Sequence, residues 1–515
     1  MADRIHLTTA IIYSNGPPHV GHAYEAFAAD AYARYWRSKI GRDRVSFVTG
    51  TDEHGEKNLR AAEAAGLGPK AFADKMSAMF RAAFAPLGIS YDQFARTTDP
   101  VHAAFVREKL ALTHERGEII FQDYEGLYCV GCERFYTEKE LIGGNICPEH
   151  NRPVELYRES NYFLPLEKWR EQIRAHIANT PGFIRPERYR NEALRMLDEP
   201  LSDLCISRPK ARMDWGIELP FDDKYVTWVW YDAFWAYLSE LPHSDDATLR
   251  ELLPVSEHFI GKDILKTHAI YWPAMLMALG LPLYRRLNVH GFLTVGGERM
   301  SKSSGHVLDP MTYEKAYGAD ALRYFLLREI SYGLDGDFSE QRLVQRYNAD
   351  LANDLGNLTS RVLAMAARYF GGELTAEPGA SNDSLDTALC ATFASLFERA
   401  GAQLEELQYS RALETTWQAL DAANKYIVAT SPFTLAKDQS KLPRVAEILA
   451  NLLEALRVAA DALEPFMPAT SEKLLRLLGV SGDLARAPFG AGLTAGHRVN
   501  PSAALFPRIE KDGRA

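Results

Sequence analysis

The sequence predicts an α/β chain: a doubly wound parallel sheet, interrupted by an insertion and followed by an all-α helical bundle. Three observations predict it. Residues 5–13, 19–41 and 44–50 read strand, helix, strand in close succession, a connection that parallel pairing requires. Residues 114–224 break that rhythm with turn-rich text, and sheet-like runs return near residue 225. Beyond residue 340 the apolar spacing is helical throughout.

Each element has a local reason. IHLTTAIIY (5–13) is apolar and β-branched, as a buried strand demands. Asn15, Gly16, Pro17 and Pro18 break the chain. From His19 onward Ala23, Phe27, Ala31 and Tyr35 share one helical face, and Gly41 supplies the C-cap. RVSFVTG (44–50) is the second strand. KYVTWVW, EHFIGKD and RLNVHGFLTV restore the sheet after the insertion. In the last third, Leu351 to Tyr369, Leu389 to Leu407, Leu413 to Ile427 and Val445 to Leu463 each line one face of a helix. GGELTAEPGASNDS (371–384) is a loop, and the tail after Gly479 is rich in Gly, Ala and Pro.

Composition limits the function classes. The 515 residues exceed one ordinary core, and 47% hydrophobic with 24% charged is a globular balance. No apolar run is long enough for a membrane span, and the start lacks a signal-peptide core. Five cysteines do not make a disulfide scaffold, so the cytoplasm is the expected compartment. The net charge of −10 argues against a large nucleic-acid footprint without excluding a local one, since basic stretches occur at 184–195, 207–212 and 283–288.

The chemistry starts at PPHVGHAYE (17–25). His19 and His22 stand in the first turn of a helix that follows a strand, where a doubly wound sheet binds ligands. That turn attracts anions. Spacing of three residues aims both rings at one place, and Gly21 lets a flat ring approach the backbone. The competing interpretation is a pair of surface histidines. A second element tips the balance. ERMSKSSG (298–305) is a polar loop after a strand, with Arg299 and Lys302 bracketing Met300 and hydroxyls at Ser301 and Ser303. Mobile cations beside hydroxyls suit a loop that closes on a pyrophosphate leaving group.

These two elements resemble the HIGH and KMSKS motifs of the class I aminoacyl-tRNA synthetases. TGTDEHGEK (49–57), WVWYDAFWAY (228–237), HFIGKDILKTHAIYWPAML (258–276) and YRNEALRMLDEPLSDLCISRPKARMDWGI (189–217) resemble the methionine-specific branch. The likeness runs from about residue 5 to about residue 435. It implies a Rossmann-type catalytic domain at 1–113 and 225–290, a connective insertion at 114–224, a KMSKS-type loop and link at 291–340, and an anticodon-binding bundle with its tail at 341–515. It implies two steps: ATP and L-methionine form methionyl-adenylate, and the methionine passes to the 3′ end of tRNA(Met). His19, His22 and Lys302 would be catalytic. His19, Gly21, His22, Arg299, Met300, Ser301, Lys302 and Ser303 would hold ATP with its Mg2+. Arg299 stands where the family has a lysine.

The resemblance also assigns an amino-acid pocket. Asp52 matches the holder of the ammonium group, although an Asp after Gly-Thr also suits a helix cap. Ile11, Tyr13, Trp230, Ala233, Tyr237, Ile264 and His268 match the remaining positions, with His268 expected to donate to the sulfur or to Tyr13. Aromatic rings suit a thioether. Ala10 and Ile12 replace a usual proline and a frequent tyrosine, and Phe234 and Trp235 are bulkier than their counterparts, so the cavity shape is open.

Cys129, Cys132, Cys147 and His150 read C-x2-C-x14-C-x2-H, the spacing of a four-ligand structural Zn2+ knuckle. Family members carry such a knuckle in the insertion, near the tRNA acceptor end. Phe433 takes the place of a tryptophan that stacks on the anticodon, with plain bundle core as the competing role. Asn353 and Arg361 are candidates for polar contacts nearby. The sequence has no counterpart of a C-terminal domain that some members use to dimerise, so a monomer is expected. Two other functions stay open: a paralogue with altered tRNA use, and a catalytically silent zinc-bearing RNA-binding protein.

Overall fold

The computed structural model describes residues 3–132, 134–136, 138–149, 151–239, 241, 245–299, 308–482, 486–500 and 504–510. The chain forms two compact units. One comprises 1–29, 40–85 and 90–292, the other 30–39, 86–89 and 293–515.

The first unit is built on a seven-stranded sheet in which all pairing is parallel. Ile5–Thr9 lies inside it, with Val45–Asp52 on one side and Ser256–Gly261 on the other. Arg286–His290 and Ile184–Arg185 extend the second side, and Gln93–Arg96 and Ile12–Tyr13 both pair with Val45–Asp52. The chain reverses its winding between Ile5–Thr9 and Ser256–Gly261. That is the switch point, and ligands of such sheets sit beyond the strand ends there.

The expected single strand 5–13 is two strands. Thr8 faces Val48 but Ile12 faces Thr51, so the register slips by one residue between them. The Ala10 amide donates to Phe259 O at 2.8 Å before the chain crosses over. A proline at that position would have no such donor. The slip brings Tyr13 level with Asp52, the kind of re-aiming that bulges perform.

Two other expectations change. KYVTWVW does not join the parallel sheet. Its first part lies in Asp222–Thr227, antiparallel to Ser207–Pro209 and Glu218–Leu219, and its end opens the helix Val229–Ser239. That helix is buried on nearly every side, so no polar face marks its period. The stretch 114–224 is not one excursion either. Arg134–Tyr136, Ile120–Cys129, Glu155–Leu164 and Leu204–Cys205 form an antiparallel sheet, yet Ile184–Arg185 returns to the parallel one. The buried Arg185 guanidinium pins it there, donating to Asn288 Oδ1 at 2.8 and 3.0 Å and to Glu257 at 3.3 Å.

The second unit begins with a small sheet of Leu293–Val295, Glu298–Arg299 and Gly336–Phe338. A π-helical segment, Tyr347–Gly356, leads into Asn357–Phe370. The predicted helix across 389–407 breaks at Ser395 into Ser384–Ala394 and Leu396–Glu405. Tyr409–Thr430 and the buried Leu442–Leu463 complete the bundle core. The tail is irregular, as expected, but it is tied down from within. Buried Glu454 accepts from Arg457 Nε at 2.8 Å and from the amides of Gly490, Gly492 and Leu493 at 2.9, 3.3 and 3.2 Å. Arg457 in turn donates to Ala487 O at 2.6 Å.

Gly50 faces Ala95 across the sheet, and a Cβ there would collide with the Ala95 carbonyl, a backbone atom with no room to yield. Gly50→Ala is expected to destabilise the first unit by about 1–3 kcal/mol, the usual cost of overpacking. Chemical denaturation of the two proteins checks this.

Candidate active site

The histidines at the helix start answer the question that their position poses. His19 Nδ1 accepts from the Gly21 amide at 3.1 Å and from the His22 amide at 3.4 Å. His22 Nδ1 accepts from the His19 amide at 3.3 Å. The rings therefore cap the unpaired donors of the helix Val20–Ile40. A nitrogen that accepts carries no proton, so both imidazoles are Nε2–H tautomers. They lie stacked, centroids 3.6 Å apart, with the Phe80 edge 5.2 Å from His22. Burial, and then His19, hold the His22 pKa well below its usual value. The pair is thus neutral and presents N–H donors beside the switch point.

The amino-acid pocket positions divide between two walls. On one, Tyr13 and Asp52 end adjacent strands. The Asp52 carbonyl accepts from the Ser14 amide and hydroxyl, both at 3.0 Å, and from Asn58 Nδ2 at 3.0 Å. Asp52 does not begin the helix Glu56–Ala64, whose N-cap is Gly55, so the capping alternative falls away. Ile11 is buried beside this wall. On the other wall, Trp230, Ala233 and Tyr237 occur at helical spacing on Val229–Ser239.

His268 lies in the π-helical turn Thr267–Tyr271. Its Nδ1 donates to the Ile264 carbonyl at 2.9 Å, which leaves Nε2 to accept from the Tyr237 hydroxyl at 2.7 Å. The expectation that His268 donates to a sulfur or to Tyr13 is therefore corrected: its one proton is already used. The Tyr13 hydroxyl donates to the His54 carbonyl at 3.3 Å. Phe234 stacks on Trp272 at 5.3 Å and meets His268 edge-on at 5.0 Å, so it backs His268. Trp235 packs against Phe105 and Trp272 in the core.

Glu25, Asp263 and His290 escaped the sequence reasoning. His290 Nδ1 donates to Gly291 O at 2.7 Å and Nε2 meets Glu25 Oε2 at 2.9 Å. Burial lifts the Glu25 carboxyl, and Glu25 lifts His290 against burial, so the pair retains a shared proton. Gly261 leaves room for the Asp263 carboxylate, which a Cβ would crowd. The signals existed: Glu25 is three residues past His22 on one helix, and His290 ends a strand.

In the insertion, the sulfurs of Cys129, Cys132 and Cys147 lie within 4.8 Å of one another and could hold a metal ion. Cys132 and Cys147 are 3.5 Å apart, and the Tyr136 hydroxyl lies 2.9 Å from Cys132. The hydrogen bond with Cys129, and then burial, push the Cys132 thiol up. Three crowded thiols of this kind are a soft donor set that a cation would favour as thiolates. His150 lies outside the described residues, as do Met300, Ser301, Lys302 and Ser303. Arg299 ends the strand Glu298–Arg299.

In the bundle Phe433 is 52% exposed, so it is not core. Val428, 70% exposed, precedes it by five residues. Asn353 and Arg361 are also exposed.

With this geometry in hand, comparison with known proteins is direct. The family model for tRNA synthetases class I (M) matches residues 5–155 and 145–363, and that for the anticodon-binding domain of tRNA ligase matches 386–503. The methionine–tRNA ligase of Caldanaerobacter subterraneus subsp. tengcongensis is 42% identical, over 99% of this chain and 80% of its own length. That of Deinococcus radiodurans is 44% identical over 98% and 74%. The solved Mycobacterium tuberculosis methionyl-tRNA synthetase in complex with methionyl-adenylate is 40% identical, with a TM-score of 0.92 over 98% of this chain and 100% of that one.

Burial also sets a pH dependence. His6, buried under the pocket helix, is pushed from 6.5 down to about 4 by desolvation. Its Nε2 donates to the Tyr237 carbonyl at 2.9 Å. The unfolded chain takes up this proton first, so stability is full above about pH 6.5 and declines as pH falls toward 4. His6→Gln, which cannot titrate, is expected to remove on the order of 3 kcal/mol of that decline. Denaturant unfolding of both proteins at pH 7 and pH 4.5 measures it.

Proposed function

Because the chain belongs to the class I tRNA synthetases of the methionine type, we propose that it joins L-methionine to tRNA(Met) in two steps. ATP and methionine give methionyl-adenylate and pyrophosphate, and the amino acid then passes to the 3′-terminal ribose. The observation that carries this is the tautomeric pair His19–His22 beside a switch point whose neighbouring strand ends hold Tyr13 and Asp52.

In the first step a methionine carboxylate oxygen bonds to the α-phosphorus as the bond to the β-phosphate oxygen breaks. Nothing in this exchange needs an enzyme nucleophile. The chain has to align the two substrates and stabilise the charge on the phosphate oxygens. The Nε2–H groups of His19 and His22 serve as neutral donors, with Gly21 allowing close approach. Lys302, with Arg299, Met300, Ser301 and Ser303, makes the loop that neutralises departing pyrophosphate. Mg2+ accompanies the ATP. Glu25, on the helix Val20–Ile40, and Asp263, just past the strand Ser256–Gly261, suit the hydroxyls of the ribose.

Asp52 takes the methionine ammonium. Ile11, Tyr13, Trp230, Ala233, Tyr237 and Ile264 enclose the thioether, where ring faces and edges favour sulfur. His268 acts on the pocket by fixing Tyr237. A Zn2+ held by Cys129, Cys132, Cys147 and His150 would cross-link the insertion and has no open position for chemistry. The bundle, roughly 341–515, reads the anticodon with Phe433, Arg361 and Asn353. Residues 1–113 and 225–290, with the strand Ile184–Arg185, form the catalytic domain, the rest of 114–224 serves as the connective segment and 291–340 as the link. None of the described helices is long and apolar enough to cross a membrane, and the proposed reading is of a monomer that acts in the cytoplasm. Among the described residues, no feature of the pocket or bundle favours a paralogue with altered tRNA use.

Methionine-dependent ATP–pyrophosphate exchange tests the assignment. Lys302→Ala is expected to slow it by at least about a hundredfold, the scale of losing one preorganised charge contact. Unimpaired exchange would remove the loop from the mechanism. Phe433→Ala should leave exchange intact and lower kcat/KM for tRNA charging by roughly ten- to a hundredfold, the value of one stacked base.

A further inference from the structure

The helix that carries Trp230, Ala233 and Tyr237 also carries a carboxylate that the two-step chemistry does not use. Asp232 is fully buried. Its Oδ2 lies 2.6 Å from His54 Nδ1 and its Oδ1 lies 2.5 Å from His102 Nε2. His102 Nδ1 is 2.8 Å from the Ser239 hydroxyl. An ionised carboxylate only accepts, so His54 donates from Nδ1 and His102 from Nε2, and the Ser239 hydroxyl donates to His102. Burial opposes the charge on Asp232, but the two imidazoles outweigh it and hold the carboxyl below its ordinary range. Ser239, His102 and Asp232 have the order of a nucleophilic triad. Ser239 is 1% exposed, so no substrate reaches it.

The two imidazoles lead to different places. His54 is two residues past Asp52, in a turn whose carbonyls are tied together. Asn58 Nδ2 donates to both the Asp52 and the His54 carbonyls, at 3.0 and 2.9 Å. Trp215 Nε1 donates to the Glu53 carbonyl at 2.6 Å, and the Trp215 ring meets His54 edge-on at 5.2 Å. His102 belongs to the helix Pro100–Glu115, which contributes nothing to the pocket. One carboxylate is therefore bonded to the ammonium wall on one side and to a structural helix on the other.

We propose that Asp232 is a positioning residue for amino-acid selection: through His54 it fixes the distance between the turn bearing Asp52 and the helix bearing Trp230, Ala233 and Tyr237. The inference rests on those residues being the methionine pocket. Its consequence is chemical. Asp52 holds one end of the substrate and the aromatic helix meets the other, so their separation selects side-chain length. An apolar wall alone discriminates by only about 10- to 200-fold per methylene. A clamp that stops the walls from parting keeps that small difference from being lost. The bonds that hold it are charge-assisted and buried, the strong kind.

The test is ATP–pyrophosphate exchange with methionine and with ethionine, one methylene longer, together with thermal midpoints. Wild type, His54→Phe, His102→Phe and His54→Asn are compared. Each phenylalanine keeps a ring and loses one donor to the same carboxylate, so both are expected to lower the midpoint. Only His54→Phe should raise the methionine KM, about tenfold, and narrow the methionine-to-ethionine preference, with the ATP KM unchanged. His54→Asn, whose amide stands near the Nδ1 position, should restore most of both. Equal shifts in preference for the two phenylalanine variants, or none in either, would overturn the proposal and leave Asp232 a core ion pair. If His54→Phe does not fold, Asp232→Asn carries the same comparison: a narrowed preference supports the clamp and an unchanged one overturns it. Absence of methionine-dependent exchange in the wild type would instead defeat the pocket assignment.

Discussion

The site is organised by the hydrogen bonds in which three backbone amides, those of His19, Gly21 and His22, donate to imidazole Nδ1 atoms. The first turn of a helix has amides with no partner in the helix itself. In most proteins a serine, threonine or aspartate side chain accepts from them. Here imidazole does, and the substitution has two effects. The helix start is satisfied, and each ring is left with a donor on its far nitrogen. A carboxylate cap would satisfy the same amides and repel a phosphate. Protonation would turn each Nδ1 into a donor and cost the helix its cap. Neutrality of the pair is therefore built into the backbone as much as into burial.

The same economy recurs in the amino-acid pocket. His268 uses its proton on the Ile264 carbonyl and its lone pair on the Tyr237 hydroxyl. The phenol is thereby held in one orientation within a wall of aromatic rings. In the proposed pocket, specificity for a thioether would rest on shape and on ring contacts, since sulfur is a weak acceptor. The carboxylate proposed for the ammonium, Asp52, terminates a strand at the level of Tyr13.

Features with long-range periodicity could be read from the sequence, and features with short-range or distant causes could not. The bundle helices were visible because their apolar faces repeat over many turns, although the break at Ser395 was not. KYVTWVW (224–230) reads as one strand although its last two residues open Val229–Ser239, because a helix buried all round has no polar phase. Ile184–Arg185 is two residues long, and its cause, the Arg185 bond to Asn288, lies 103 residues away. The motif histidines were legible, but the direction of their hydrogen bonds was not. Glu25 and His290 were missed because they meet across 265 residues. Tyr136 was missed because sulfur spacing alone does not show a phenol beside the thiols.

The buried Glu454–Arg457 pair bears on how the bundle can be handled as a module. Its carboxylate accepts from the amides of Gly490, Gly492 and Leu493, and its guanidinium donates to the Ala487 carbonyl. Cut away that segment and two charges remain inside with half their partners gone, a worse state than an apolar pair would face. The irregular tail is thus an inseparable part of the helical domain. Anyone grafting this bundle onto another scaffold has to carry the trailing residues with it.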